Sequence, residues 1–132
     1  MPQTRLILFK EASGTAPVVE WLQELRRRDK KVYAKCQATI ELLAELGHEL
    51  RRPTADYLRD GIHELRPKSG RVNYRILYFF HGKNVAILAS GLTKEAEVPP
   101  LEIDRAIARK RLFEKNPTAH TYEETGEENK PH

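Results

Sequence analysis

The 132-residue chain, 39% hydrophobic and 32% charged, has the size and composition of one globular domain with its own core and a charged surface. Its single cysteine, Cys36, excludes an internal disulfide, and no apolar run approaches the roughly 20 residues of a membrane span. The net charge of +4 is unevenly spread: residues 51–94 carry 9 basic and 3 acidic side chains, more than the whole excess.

In chain order, "RLILF" (Arg5 to Phe9) is a short apolar run suited to a strand and too short for the core of a signal peptide. "SGTAP" then punctuates the chain, with Ser13 or Thr15 as a helix cap and Pro17 in the first turn. Val18, Trp21, Leu22 and Leu25 fall at helical spacing, so Trp21 is read as core. After the polar "RRRDKK", Val32, Tyr33, Cys36, Ile40, Leu43 and Leu46 predict a second helix that stops at Gly47. Beyond Pro53 the period changes. Ile62 to Arg66, Tyr74 to Phe80 and Val85 to Leu92 read as three strands joined by "PKSG" and "HGKN" turns, and such short connections imply antiparallel pairing. A last helix opens after Pro99 and Pro100, with Leu101, Ala108 and Leu112 on one side.

The expected fold is α+β, in the order β-α-α-β-β-β-α. A small antiparallel sheet carries the N-terminal helix pair on one face, and the other face is left partly open to solvent. Residues 1–116 form the domain. Residues 117–132, "PTAHTYEETGEENKPH", form an acidic tail expected to be disordered or loosely docked.

The charge excess points to a polyanionic partner, although a solvated basic face fits the same count. Arg66, Lys68, Arg71 and Arg75 are threaded through the strands with only Glu64 as an acidic neighbour. Across a hairpin, Arg66 and Lys68 lie beside Arg71 and Arg75, and Lys94 follows the next strand. Clustered guanidinium groups suit phosphate, because each offers a fork of donors that stays charged. Such a cluster can run RNA cleavage by attack of the ribose 2′-hydroxyl on the adjacent phosphate, without metal. Lys68 is the candidate base, Arg66 and Arg75 the stabilisers of developing charge, and an arginine, Lys94 or His63 the acid. Arg51, Arg52 and Arg59 would steer RNA by charge. A structural ion pair with Glu64 is the plainer reading of Arg66 or Arg75. His63 and His81 also fit as ordinary turn or surface histidines, and Tyr74 and Tyr78 as core. No histidine pair or Cys–His set has metal-ligand spacing, and no glycine loop cradles phosphate, so neither metal nor cofactor is expected.

The segment "LRDGIHELRPKSGRVNYRILYFFHGKNVAILASGLTKEAEVPPLEIDRAIAR" resembles the RelE/ParE toxin superfamily, in its HigB-like, phage-associated branch. The likeness rests on the "ELR" strand, the "YRILYFF" strand, the apolar strand that ends near a lysine, and the closing helix, and it covers about residues 5–112. It implies a toxin of a type II toxin–antitoxin module that cuts messenger RNA in the ribosomal decoding site, while the lone cysteine and the short apolar runs make a cytoplasmic protein with no membrane partner the expectation. It also implies a small helical antitoxin, often with a helix-turn-helix fold, through which alone operator DNA is reached. By position, Arg66, Lys68 and Arg75 match the residues expected to bind and cleave RNA. Two departures stand out. The strand ends Leu92, Thr93, Lys94 instead of phenylalanine and two lysines, and His63 stands where many relatives have tryptophan. The alternatives are a ParE-type toxin that inhibits gyrase and cleaves nothing, and a phage-derived RNA-binding protein.

Overall fold

The computed structural model describes residues 3–93 and 96–123. Helix α1 (Pro17–Arg28) starts on a proline whose missing N–H costs nothing there, and ends on Arg26 to Arg28, whose charges favour the negative end of the helix dipole. Asp29 then starts α2 (Lys30–Leu46), its carboxylate accepting hydrogen bonds from the backbone N–H groups of Lys31 and Val32. A cap of this kind is worth about 1 kcal/mol. Gly47 ends α2 at φ 54°, and a Cβ there would run into the Thr4 side chain, so the stop is fixed both by conformation and by space.

Among the described residues the sheet has six strands: β1 (Arg5–Leu8), β2 (Ala55–Arg59), β3 (Ile62–Leu65), β4 (Lys68–Ser69), β5 (Val72–Phe80) and β6 (Val85–Thr93). The order across it is β1-β6-β5-β3-β2, with the two-residue β4 paired to the start of β5. The α+β class is as expected, but the sheet is mixed. β1 runs parallel to β6, while the other pairings are antiparallel. The parallel pair arises because the whole helix hairpin and four strands separate β1 from β6, so the connection is not limited to a tight turn.

Both sheet faces are covered, which corrects the expectation of helices on one side. Val18 of α1 and Ile40 and Leu43 of α2 pack on Leu65, Ile76, Tyr78 and Leu88. Helix α3 (Pro100–Lys115) packs Ile103, Ala106, Ile107 and Phe113 on Ile62, Leu77, Phe79 and Ile87 of the opposite face. Burial of each such side chain stabilises by about 1.5–3 kcal/mol. The buried stripe of α3 is therefore not the expected Leu101, Ala108 and Leu112, which are exposed. Ile and Phe offer the sheet more apolar area than that second stripe does.

The start of the tail is docked. His120 is buried against Phe9, ring centroids 5.1 Å apart, with its Nδ1 2.8 Å from the Lys10 carbonyl, and the Tyr122 N–H donates to Leu8 O. Residues 124–132, which hold most of the acidic segment, lie outside the described residues. Among the described residues no helix is long and apolar enough to cross a membrane.

Candidate functional site

The register of the β3–β5 hairpin builds the site. Leu65 faces Ile76 and Lys68 faces Asn73, so Arg66 lies across from Arg75. Strand alternation puts Glu64, Arg66 and Lys68 on the same face as Asn73 and Arg75, the face that α3 covers further along at Leu77 and Phe79. The predicted trio is thus brought together, but its members differ in environment. Arg75 and Glu64 are buried, each side chain 8% exposed, with Arg75 Nε 3.0 Å from Glu64 Oε1. Neither atom completes an aligned hydrogen bond, so the contact is one of charge more than direction. The other Arg75 nitrogens donate to Tyr74 O and Ala96 O, both at 3.1 Å, and so hold the chain just past β6.

Arg66 is a third exposed and lies 3.7 Å from Glu64 Oε2. Lys68 is exposed. The two arginines are therefore not unpaired: they share one carboxylate. Burial raises Glu64 above the ordinary carboxylate range, although Arg66 and Arg75 pull it the other way. Two guanidinium groups on one carboxylate leave a net positive charge, and Lys68 adds to it.

The remaining candidates lie elsewhere. Arg71 is exposed at the β4–β5 turn, on the same rim as Lys68. The Arg59 side chain is partly exposed and shares its charge with Asp60 at 3.1 Å and Asp104 of α3 at 2.6 Å. His63 pairs with Tyr78 and points to the helix-pair face, so it cannot act as an acid beside Arg66 and Arg75. With Arg51 and Arg52 it lines a cavity of about 430 Å³ on that side. Lys94 lies outside the described residues. Tyr78 is core, as expected, and burial pushes its hydroxyl up to about 12.

Residues 23–111 match the family described as phage-derived protein Gp49-like (DUF891). The chain belongs to that family. The Gp49-like family is a type II toxin family of the RelE/HigB-like kind, which agrees with the resemblance at that level. The match runs from the middle of α1 into α3 and contains Glu64, Arg66, Lys68 and Arg75, while the docked segment 118–122 lies beyond it. No curated protein matches the chain.

One feature was read in outline and another escaped the sequence reading. An ion pair of Arg66 or Arg75 with Glu64 was the plainer reading, and both arginines in fact meet that carboxylate. The other is the set of rings around His63, formed by His48, Tyr57 and Phe80. Their convergence depends on α2 stopping at Gly47, which leaves this corner of the sheet without a helix above it.

Proposed function

We propose that this Gp49-like protein is the toxin of a two-gene module and that it cleaves messenger RNA. The observation that carries the reading is the placement of Arg66 opposite Arg75 on one carboxylate, with the exposed Lys68 next along the same face. Arg66 is the cation free enough to exchange a loose 3.7 Å contact with Glu64 for a phosphodiester oxygen. Arg75 is a positioning residue, since its donors hold Glu64 and the backbone after β6. Lys68 takes the proton of the ribose 2′-hydroxyl. The 2′-oxygen then bonds to phosphorus, the bond from phosphorus to the 5′-oxygen breaks, and the departing oxygen takes a proton from water. Charge on the phosphorane is stabilised by Arg66. The products are a 2′,3′-cyclic phosphate and a 5′-hydroxyl.

Lys68 and Arg71 of this cation group are exposed and Arg66 partly so, which leaves an RNA strand open to ordering from outside. The ribosome fits as the partner that orders the messenger. A small helical antitoxin that covers Arg66 and Lys68 would neutralise the protein, and operator DNA would be reached through that antitoxin.

The test is a purified translation system with the messenger read by primer extension. Wild type should give breaks positioned on codons, and an Arg66→Ala, Lys68→Ala double variant none. An intact messenger with both proteins, together with inhibition of gyrase by wild type, would move the assignment to a ParE-type toxin.

A further inference from the structure

The corner of the helix-pair face around His63 has the makings of a second site. Beyond Gly47, a short turn carries His48 over Phe80, with ring centroids 3.6 Å apart and planes within 20°. His63 lies nearly parallel to Tyr78 at 5.1 Å and meets Tyr57 edge-on at 5.0 Å. Five strand and turn positions thus bring planar rings together, and the outermost, Tyr57, is 55% exposed on the edge strand β2. The Tyr57 hydroxyl accepts a hydrogen bond from Gly61 N, which fixes the ring in place before any ligand arrives.

The cavity beside these rings is about 430 Å³, within the range of about 300–1,000 Å³ usual for sites that hold a small organic group. Its floor includes Leu50 and Ala55, and its rim carries Arg51 and Arg52. Arg52 is bonded to Asp56, whereas the Arg51 side chain has no ion-pair partner among the described residues. An apolar floor, a fixed exposed ring and a free guanidinium at the mouth match an unstacked base with its phosphate. The apolar floor, Leu50 and Ala55, is small for a protein partner that docks by apolar burial.

We propose that this cavity binds one unstacked base of single-stranded RNA, with Tyr57 as the stacking platform and Arg51 on the adjacent phosphate. The site is on the sheet face opposite Arg66 and Lys68 and is independent of cleavage by them. A strand that occupied both would wrap around the β2 edge.

The experiment is fluorescence anisotropy with a labelled eight-nucleotide single-stranded RNA, across a series of salt concentrations and without ribosomes. Stacking on one aromatic side chain contributes about 1–3 kcal/mol per base, so Tyr57→Ala should weaken binding by about 5- to 150-fold. Tyr57→Phe, which keeps the ring, should stay within about twofold. Arg51→Ala should weaken binding and reduce the salt slope by about one ion. The Arg66→Ala, Lys68→Ala variant should still show the Tyr57 effect, so that loss of cleavage and loss of this site are separately visible. Thermal melting of each variant separates binding from folding. Unchanged affinity in a folded Tyr57→Ala protein would overturn the proposal. So would equal affinity for a duplex of the same sequence, whose bases are not free to stack, or no binding of the single strand by wild type.

Discussion

Arg75→Ala should be far more damaging to the fold than its place in a cation cluster implies. Both Arg75 and Glu64 are 8% exposed, so removal of the guanidinium strands a carboxylate in the interior with only Arg66, 3.7 Å away at the surface, to offset it. Breaking a buried pair from one side costs about 3–5 kcal/mol, a third or more of the stability of many domains. With a urea slope of about 1–3 kcal/mol per molar, the unfolding midpoint should drop by about 2 M. Replacing both partners with apolar residues, Glu64→Leu with Arg75→Met, removes the stranded charge and should recover at least about 2 kcal/mol of the loss. By contrast Arg66→Ala, at a partly solvated 3.7 Å contact, should cost less than about 1 kcal/mol. Urea denaturation at pH 7, followed by Trp21 fluorescence, reads all three. A loss below about 1 kcal/mol in Arg75→Ala, or a double variant less stable than the single one, would refute a buried ion pair as the keystone of the site. It would also return Arg75 to the list of residues free to meet RNA.

Three further outcomes are expected. Gly91→Ala places a methyl group against the Trp21 ring, whose Nε1 donates to Thr93 Oγ1, and overpacking of this kind costs about 1–3 kcal/mol; a melting temperature equal to wild type with unshifted Trp21 emission would contradict it. Cys36 is fully buried and burial pushes its thiol up to about 11, so a thiol reagent at pH 8 should label the protein only as it unfolds, and rapid labelling of the native state would be the contrary result. Burial, aided by nearby His48 and opposed by Asp56, lowers His63 from its ordinary 6.5. The native state therefore takes up this proton later than the unfolded chain, so the His63 contribution is fully present above pH 6.5 and lost as pH falls through the lowered native value. His63→Phe should flatten that loss between pH 7 and 5; parallel stability curves for the two proteins would contradict the sign.

The parts of the fold that were legible are those in which local pattern and tertiary environment agree. Val18 and Leu25 on α1, and Val32, Cys36, Ile40 and Leu43 on α2, are buried as their spacing requires, and Gly47 stops the helix. Strand β2 was hidden because "ADYLR" is an edge strand: only Ala55 is buried, and Tyr57 and Arg59 meet solvent or ion partners, so no apolar alternation marks it. The parallel β1–β6 pair depends on contacts between residues about 80 positions apart, as in Arg5 with Val85, for which a single sequence carries no local signal. In α3 two apolar stripes compete, and only the sheet decides that Ile103, Ala106 and Ile107 turn inward.

The site was legible in its membership more than in its environment. The spacing of Arg66, Lys68 and Arg75 on adjacent strands places them together once the hairpin register is set. The burial of Arg75 with Glu64 was not readable, because it depends on how far α3 and the segment at Ala96 extend over the sheet. His63 failed as a partner for a simple reason: it is an odd number of residues from Glu64 and Arg66 is not, so the pleat sends it to the other face.

The central claim is that cations around Glu64 direct a 2′-hydroxyl onto its neighbouring phosphate, and the ends of the cut messenger test it most directly. Fragments made by wild type on ribosomes should carry a cyclic phosphate on the upstream piece and a 5′-hydroxyl on the downstream piece. Arg66→Ala with Lys68→Ala should abolish both. Fragments that bear 5′-phosphates, or equal cutting by the folded double variant, would contradict the account.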